Sequence, residues 1–102
     1  MSQSAKFNST DVTVILPSLN PDEKLINTVN ALLDKGFHDI IIVNDGSDEA
    51  HRTPFEAISS NEACTLLVHE TNQGKGHALK TAMQYVLTHR PDSPGVITID
   101  GD

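Results

Sequence analysis

The sequence contains little positive charge, one cysteine and no long hydrophobic run. Its 102 residues include 7 Lys and Arg against 14 Asp and Glu, which gives a formal net charge of -7. Nucleic-acid binding needs a basic surface, so this balance excludes nucleic acid as a partner. The single cysteine, Cys64, excludes an internal disulfide and a cysteine-based zinc site, and it fits a reducing, cytoplasmic location. No apolar run approaches the roughly 20 residues that cross a bilayer.

The chain length fits one small domain or a piece of a larger one. Residues 1–10 are polar and lack the apolar segment of a secretory signal. We interpret them as a disordered lead-in to a single domain that covers residues 11–102.

Short β-branched segments alternate with amphipathic segments along the rest of the chain. The predicted strands cover residues 12–16, 39–43, 64–68 and 96–99. The segments between them have apolar residues at helical spacing, for example Leu25, Val29 and Leu32. The resulting order, βαβαβαβ, predicts an α/β fold with a Rossmann-like parallel sheet.

Residues that favour helix ends mark the predicted helix boundaries. We expect Asn20 to be the N-cap of the first helix, with Glu23 in its first turn. Gly36 predicts the end of that helix. Thr53 is the predicted N-cap of the second helix, and the third is predicted to end near His89.

Polar clusters follow each predicted strand. Ligands of parallel α/β sheets bind beyond the carboxyl ends of the strands, so four such loops would meet at one edge of the sheet. The clusters are Pro17–Asn20, Asn44–Asp48, Asn72–Gly76 and Asp100–Asp102. Their convergence predicts a ligand site at this edge.

Three of these clusters contain groups that can bind a charged ligand. Asp100 and Asp102 flank a glycine, so they can hold one divalent cation or form an ordinary Asp-Gly turn. Asp45 can accept a hydrogen bond from a nucleobase, or it can belong to a simple turn. The loop before the third helix offers amides and Lys75 to a phosphate, or is only a flexible glycine loop.

Other residue types do not suggest a catalytic centre. The five histidines show no metal-ligand spacing, so we interpret them as surface residues. Ser47 has no evident base partner, and nucleophilic catalysis is therefore unsupported.

Four segments in order resemble the family 2 glycosyltransferases of the GT-A fold. They are "VTVILPSLNPDE", "IIIVNDGSDE", "ETNQGKGHALKTAMQYV" and "VITIDGD". The fourth looks like the family's strand that ends in the D-x-D motif. The resemblance is greatest to polyprenyl-phosphate sugar transferases similar to those that make dolichol-phosphate mannose, which are often fused to a GtrA-like membrane segment.

The resemblance implies a site for a nucleotide-diphosphate sugar in the N-terminal half of a GT-A fold. Asp45 would contact the base and Lys75 would lie near the nucleotide. Asp100 and Asp102 would form the D-x-D pair that binds Mg²⁺ or Mn²⁺, with Asp100 also near the donor. The implied nucleotide-sugar site further includes Pro17, Asn20 and Gly46.

The sequence departs from the family pattern at two positions and at its end. Asn44 stands where the family usually has an aspartate, and Asn20-Pro21-Asp22 replaces the usual Asn-Glu. Family members continue well past the D-x-D motif, where the acceptor site and the catalytic base lie. We therefore interpret the chain as the nucleotide-sugar-binding part of a truncated GT-A domain, which alone would be inactive.

The resemblance also implies the reaction and the partners of the intact enzyme. It would transfer a sugar to an acceptor, plausibly a polyprenyl phosphate, at the cytoplasmic face of a membrane. The alternative is a non-catalytic module that binds nucleotide or forms a homo-oligomer through an exposed sheet edge.

Overall fold

The computed structural model describes residues 11–99, and these residues form a parallel sheet with helices on both faces. The predicted lead-in at residues 1–10 and the predicted metal ligands Asp100 and Asp102 lie outside the described part. In chain order the elements are β1 (Thr13–Ser18), α1 (Glu23–Asp34), β2 (Ile40–Asp45), a 3₁₀ turn (Glu49–His51), α2 (Thr53–Ser59), β3 (Cys64–His69), α3 (Lys75–His89) and β4 (Val96–Thr98). The predicted α/β class and element order are confirmed.

The four strands lie in the order β3-β2-β1-β4, and every neighbouring pair is parallel. The chain steps from β1 to β2 to β3 and then returns to the other side of β1. Such a reversal opens a crevice beyond the carboxyl ends of the strands, where α/β proteins bind their ligands. The reversal lies between β1 and β4, and because all the strands are parallel, the loops that follow β1, β2 and β3 leave the sheet at the same end as this crevice.

The central strands are buried on both faces because helices cover each side. Helices α1 and α2 cover one face, where Leu25 and Phe55 pack against Val14 and Ile42. Helix α3 covers the other face through its small residues Ala78 and Ala82 and through Val86. This double cover explains why β2 is a continuous apolar run rather than an alternating one.

Helix α1 begins later than its sequence predicts. Asp22, not Asn20, is the N-cap, and its carboxylate accepts a hydrogen bond of 2.9 Å from the amide of Lys24. Asn20 has a positive φ of 47°, and its side-chain oxygen accepts a hydrogen bond from the amide of Asp48 in the loop after β2. The predicted end is confirmed, since Lys35 is the C-cap and Gly36 has a φ of 97°.

Two further boundaries differ from the prediction. Arg52 rather than Thr53 is the N-cap of α2, because the 3₁₀ turn already brings the chain into a helical path. Strand β1 continues through Pro17 to Ser18. Within residues 11–99, β4 pairs with β1 only as far as Ile15, so the missing amide hydrogen of Pro17 breaks no ladder on that side.

No helix among the described residues is both long enough and apolar enough to cross a membrane.

Candidate functional site

A cavity of about 170 Å³ lies at the carboxyl ends of β1 and β2. It is lined by Pro17, Ser18, Leu19, Asp45, Asn72, Gly74 and Lys75. Three of the sequence-predicted site residues, Pro17, Asp45 and Lys75, therefore meet in one place. They lie near the carboxyl ends of β1 and β2 and at the start of α3, in the segments where the sequence shows polar clusters.

Asp45 is the central polar residue of this cavity. Only 4% of its surface is exposed, yet its carboxylate accepts three hydrogen bonds. Oδ1 accepts from the ring of His69 at 2.8 Å and from the amide of Gln73 at 3.0 Å, and Oδ2 accepts from the amide of Gly74 at 2.9 Å. Asp45 thus fastens the loop after β3 to the end of β2.

These contacts keep the Asp45 carboxylate ionised. Burial alone raises its pKa, because a charged carboxylate is poorly solvated there. Hydrogen bonds from the Gln73 amide, the His69 ring and the Gly74 amide outweigh that effect, so the pKa lies below its ordinary value. A negative acceptor is therefore present in the cavity wall at neutral pH.

His69 corrects the expectation that the histidines lie on the surface. Its ring is buried, and Nε2 lies 2.8 Å from the hydroxyl of Thr81 in α3. The strand pattern contains a clue to this position: Leu67 packs on the α3 side, and a residue two positions later points to the same face. Histidine type and spacing alone do not reveal it.

Asn20 joins two loops rather than capping a helix. Its backbone amide donates a hydrogen bond to the hydroxyl of Ser47 at 2.7 Å, and its side-chain oxygen accepts one from the backbone amide of Asp48 at 2.9 Å. The side chain of Asn44 in turn accepts from the amide of Ser47 at 2.9 Å. The loops after β1 and β2 are therefore held together by these side chains, and Asn20 is not among the residues that line the cavity.

Gly46 also has a clear structural reason to be glycine. Its φ is +76°, and a β-carbon there would overlap the backbone of Thr71 and Asn72. The turn after β2 consequently packs directly against the loop after β3. This close approach brings Asp45 to the same wall of the cavity as the loop at Asn72–Gly74, which we call the glycine loop.

The glycine loop leads directly into α3. Gly74 is the N-cap with a φ of 93°, and its amide also donates to the side chain of Asn72 at 2.9 Å. Lys75 is the first residue of the helix and lines the cavity. The positive end of the helix dipole and a lysine therefore face the same space, which favours an anion.

The predicted metal ligands, Asp100 and Asp102, lie beyond the described residues. Ile99 follows β4, which runs parallel to β1, and its amide donates to the carbonyl of Ile15 at 2.9 Å. Within residues 11–99, no group of three or more His, Cys, Asp or Glu side chains is arranged to hold a metal ion.

A larger cavity of about 550 Å³ lies at the opposite edge of the sheet. Its walls include Asp39 and Arg90, which form an ion pair at 3.0 Å. Asp39 also accepts from the hydroxyl of Thr13 at 2.8 Å. These groups satisfy one another and join the starts of β1 and β2 to the end of α3, so we interpret them as structural.

Comparison with known proteins identifies the family. Residues 13–102 match the glycosyl transferase family 2 domain. The chain belongs to this family. The fold described above is the N-terminal Rossmann-like half of the GT-A domain.

Two relatives of this family 2 domain are curated proteins of archaea. The uncharacterized protein MJ1222 of Methanocaldococcus jannaschii is 29% identical over 101 residues, covering 99% of this chain and 39% of that protein. The glycosyltransferase AglJ of Haloferax volcanii is 25% identical over 91 residues, covering 89% of this chain and 27% of that protein. The chain thus spans less than half the length of either relative.

Proposed function

We propose that the cavity at the carboxyl ends of β1 and β2 binds the nucleotide of a nucleotide-diphosphate sugar. The main support is the geometry of Asp45. An ionised carboxylate has about four acceptor positions, and His69, Gln73 and Gly74 occupy three. These are the donors to Asp45 among residues 11–99, and the proposal assigns the fourth position, on Oδ2, to an N–H group of a base in the cavity.

The diphosphate would lie toward the start of α3. Lys75 supplies a positive charge there, and the first amides of the helix point toward its N-terminal end. The chain has a net charge of -7, so a diphosphate needs additional neutralisation. We propose that Asp100 and Asp102 would hold Mg²⁺ or Mn²⁺ there, and that the positive charge of the ion would offset the negative charge of the diphosphate.

The same proposal includes the molecule that accepts the sugar. Following the family resemblance, the intact protein would transfer the sugar to a polyprenyl phosphate at the cytoplasmic face of a membrane. Because the chain spans less than half of its curated relatives, the groups that bind the acceptor and deprotonate it would lie outside residues 11–99. We expect the 102-residue chain alone to bind donor without transferring sugar.

Calorimetric titration tests this proposal. UDP, GDP, CDP and ADP are each titrated into the protein with Mn²⁺, and again with a chelator. We expect measurable binding of at least one nucleotide with metal and weaker binding with the chelator. Asp45→Asn should weaken that binding, whereas Asp34→Asn, an equal charge change at an exposed position of α1, should not. Absence of binding by all four nucleotides would contradict the proposal.

Self-association is the second candidate function. Val68 in edge strand β3 is 61% exposed and Ile97 in β4 is 38% exposed, so apolar side chains lie on both outer strands of the described sheet. Exposed strand edges can pair between copies. Sedimentation at increasing protein concentration tests this: a constant monomer mass would exclude association through these edges.

A further inference from the structure

We propose that His69 is a positioning residue for the nucleotide site, acting through Asp45. The ring lies between two elements, with Nδ1 2.8 Å from Oδ1 of Asp45 in β2 and Nε2 2.8 Å from the hydroxyl of Thr81 in α3. His69 itself ends β3. One buried ring therefore joins two strands and a helix, and it contacts Asp45, which lines the cavity.

The hydrogen positions follow from the chemistry of the partners. An ionised carboxylate only accepts hydrogen bonds, so the hydrogen of the first contact is on Nδ1 of His69. The hydroxyl of Thr81 can donate or accept, so it pairs with Nε2 whether or not that nitrogen carries a hydrogen. The contact to Thr81 fixes the plane of the ring and with it the direction of the Nδ1–H bond.

That bond determines how the Asp45 carboxylate is turned. With His69 and the Gln73 amide on Oδ1, the carboxylate presents Oδ2 to the Gly74 amide, which is the donor to that oxygen among residues 11–99. Without the donor on His69, the carboxylate loses one of its three partners and can rotate. The hydrogen bonds from the amides of Gln73 and Gly74 to this carboxylate would then break more often, and Oδ2 of Asp45 would no longer be held in place for the base.

A neighbouring ring provides a control for simple packing. His77, in the first turn of α3, lies edge-on to His69 with ring centroids 5.5 Å apart. His77 is exposed, and its ring contact with His69 is not a hydrogen bond. Removing His77 therefore changes the packing around His69 without removing the donor to Asp45.

The inference rests on the proposed nucleotide site, but its first test needs no ligand. Amide hydrogen exchange of Gln73 and Gly74 is measured by NMR in the ligand-free chain and compared with the core amide of Ile42. His69→Leu, which removes the donor, should accelerate exchange at both loop amides about tenfold relative to Ile42. His69→Asn retains an N–H close to the position of Nδ1 and should restore slow exchange, and His77→Ala should leave it unchanged.

The second test uses the nucleoside diphosphate that the wild-type chain binds most tightly among UDP, GDP, CDP and ADP, in the presence of Mn²⁺. We expect His69→Leu to weaken its affinity about tenfold and His69→Asn to weaken it less than about threefold. If His69→Leu leaves the exchange of both loop amides unchanged, or if His69→Asn is as impaired as His69→Leu, the positioning role is wrong. If the wild-type chain binds none of the nucleotides, the nucleotide site is wrong, and the exchange data still decide whether His69 positions Asp45.

Discussion

The α-carbon of Gly46 lies so close to the backbone of Asn72 that no side chain fits between them. The two residues belong to turns that follow neighbouring strands, β2 and β3. Their contact lies next to a second link between the same two segments, because the carboxylate of Asp45 accepts hydrogen bonds from the amides of Gln73 and Gly74. The cavity wall therefore depends on a backbone contact as well as on hydrogen bonds.

Gly46→Ala should lower the free energy of unfolding by about 2 kcal/mol or more, because the methyl group overlaps backbone and the residue has a positive φ. Gly76→Ala is the matched control. Gly76 lies in the first turn of α3, and a β-carbon there meets no atom within 4 Å. The control should be neutral or stabilising by up to about 1 kcal/mol. Urea unfolding measures both, and equal stability of the two variants would show that the Gly46 contact is unimportant.

Stability should fall in acid partly because Asp45 becomes protonated. The pKa of Asp45 is lower in the folded protein than its ordinary value. The ionised carboxylate therefore contributes its full stabilisation of the fold at any pH above the ordinary pKa, and this stabilisation is lost as the pH falls through the pKa of the folded protein. Asp45→Asn should reduce the free energy of unfolding at pH 7 by about 2 kcal/mol and make it less dependent on pH below about pH 5. Urea unfolding at several pH values provides the comparison. A variant with the acid dependence of the wild type would contradict the contribution of Asp45.

Arg90→Met should destabilise the fold by about 1 to 2 kcal/mol, because it leaves the half-buried Asp39 carboxylate without its cation. It should not alter nucleotide affinity, because both residues lie at the amino ends of the strands, away from the proposed site. Arg52→Met is the matched control. Arg52 forms ion pairs with Glu49 and Glu56 on an exposed surface, so its loss should cost less than about 1 kcal/mol. Urea unfolding and calorimetry are run on both variants. A change in nucleotide affinity in Arg90→Met would show that the amino ends and the carboxyl ends of the strands are energetically coupled.

Metal should strengthen nucleotide binding through the predicted ligands at the end of the chain. Asp102→Asn should abolish most of the gain in nucleoside diphosphate affinity that Mn²⁺ or Mg²⁺ provides, because a carboxylate ligand is lost. Asp45→Ala should weaken binding with metal and with chelator alike, since its proposed contact is to the base. Calorimetric titration distinguishes the two patterns. If Asp102→Asn responds fully to metal, the Asp-Gly-Asp segment is not the metal site.

Local sequence patterns predict the strands and helices of this chain well because the core is periodic. The apolar run of β2 and the helical spacing of Leu25, Val29 and Leu32 correspond to buried residues on the expected elements. The convergence of Pro17, Asp45 and Lys75 was also predictable, since parallel strands end at one edge.

Contacts between residues distant in sequence were not predictable in the same way. Asn20 has the residue type and the sequence context of an N-cap, but its side chain binds the amide of Asp48 in another loop. His69 has no motif of its own, and its contacts with Asp45 and Thr81 form only when β2, β3 and α3 pack together. Both positions depend on partners that the local pattern does not specify.

Chemical-shift mapping tests the central claim most directly. The ¹⁵N-labelled chain is titrated with the nucleoside diphosphate that binds most tightly in calorimetry, in the presence of the diamagnetic ion Mg²⁺. A nucleotide in the proposed cavity should shift the amides of Leu19, Gly74 and Lys75 and leave those of Asp39 and Arg90, at the opposite edge, unchanged. Shifts centred on Asp39 and Arg90, or no shifts at saturating nucleotide, would contradict the account.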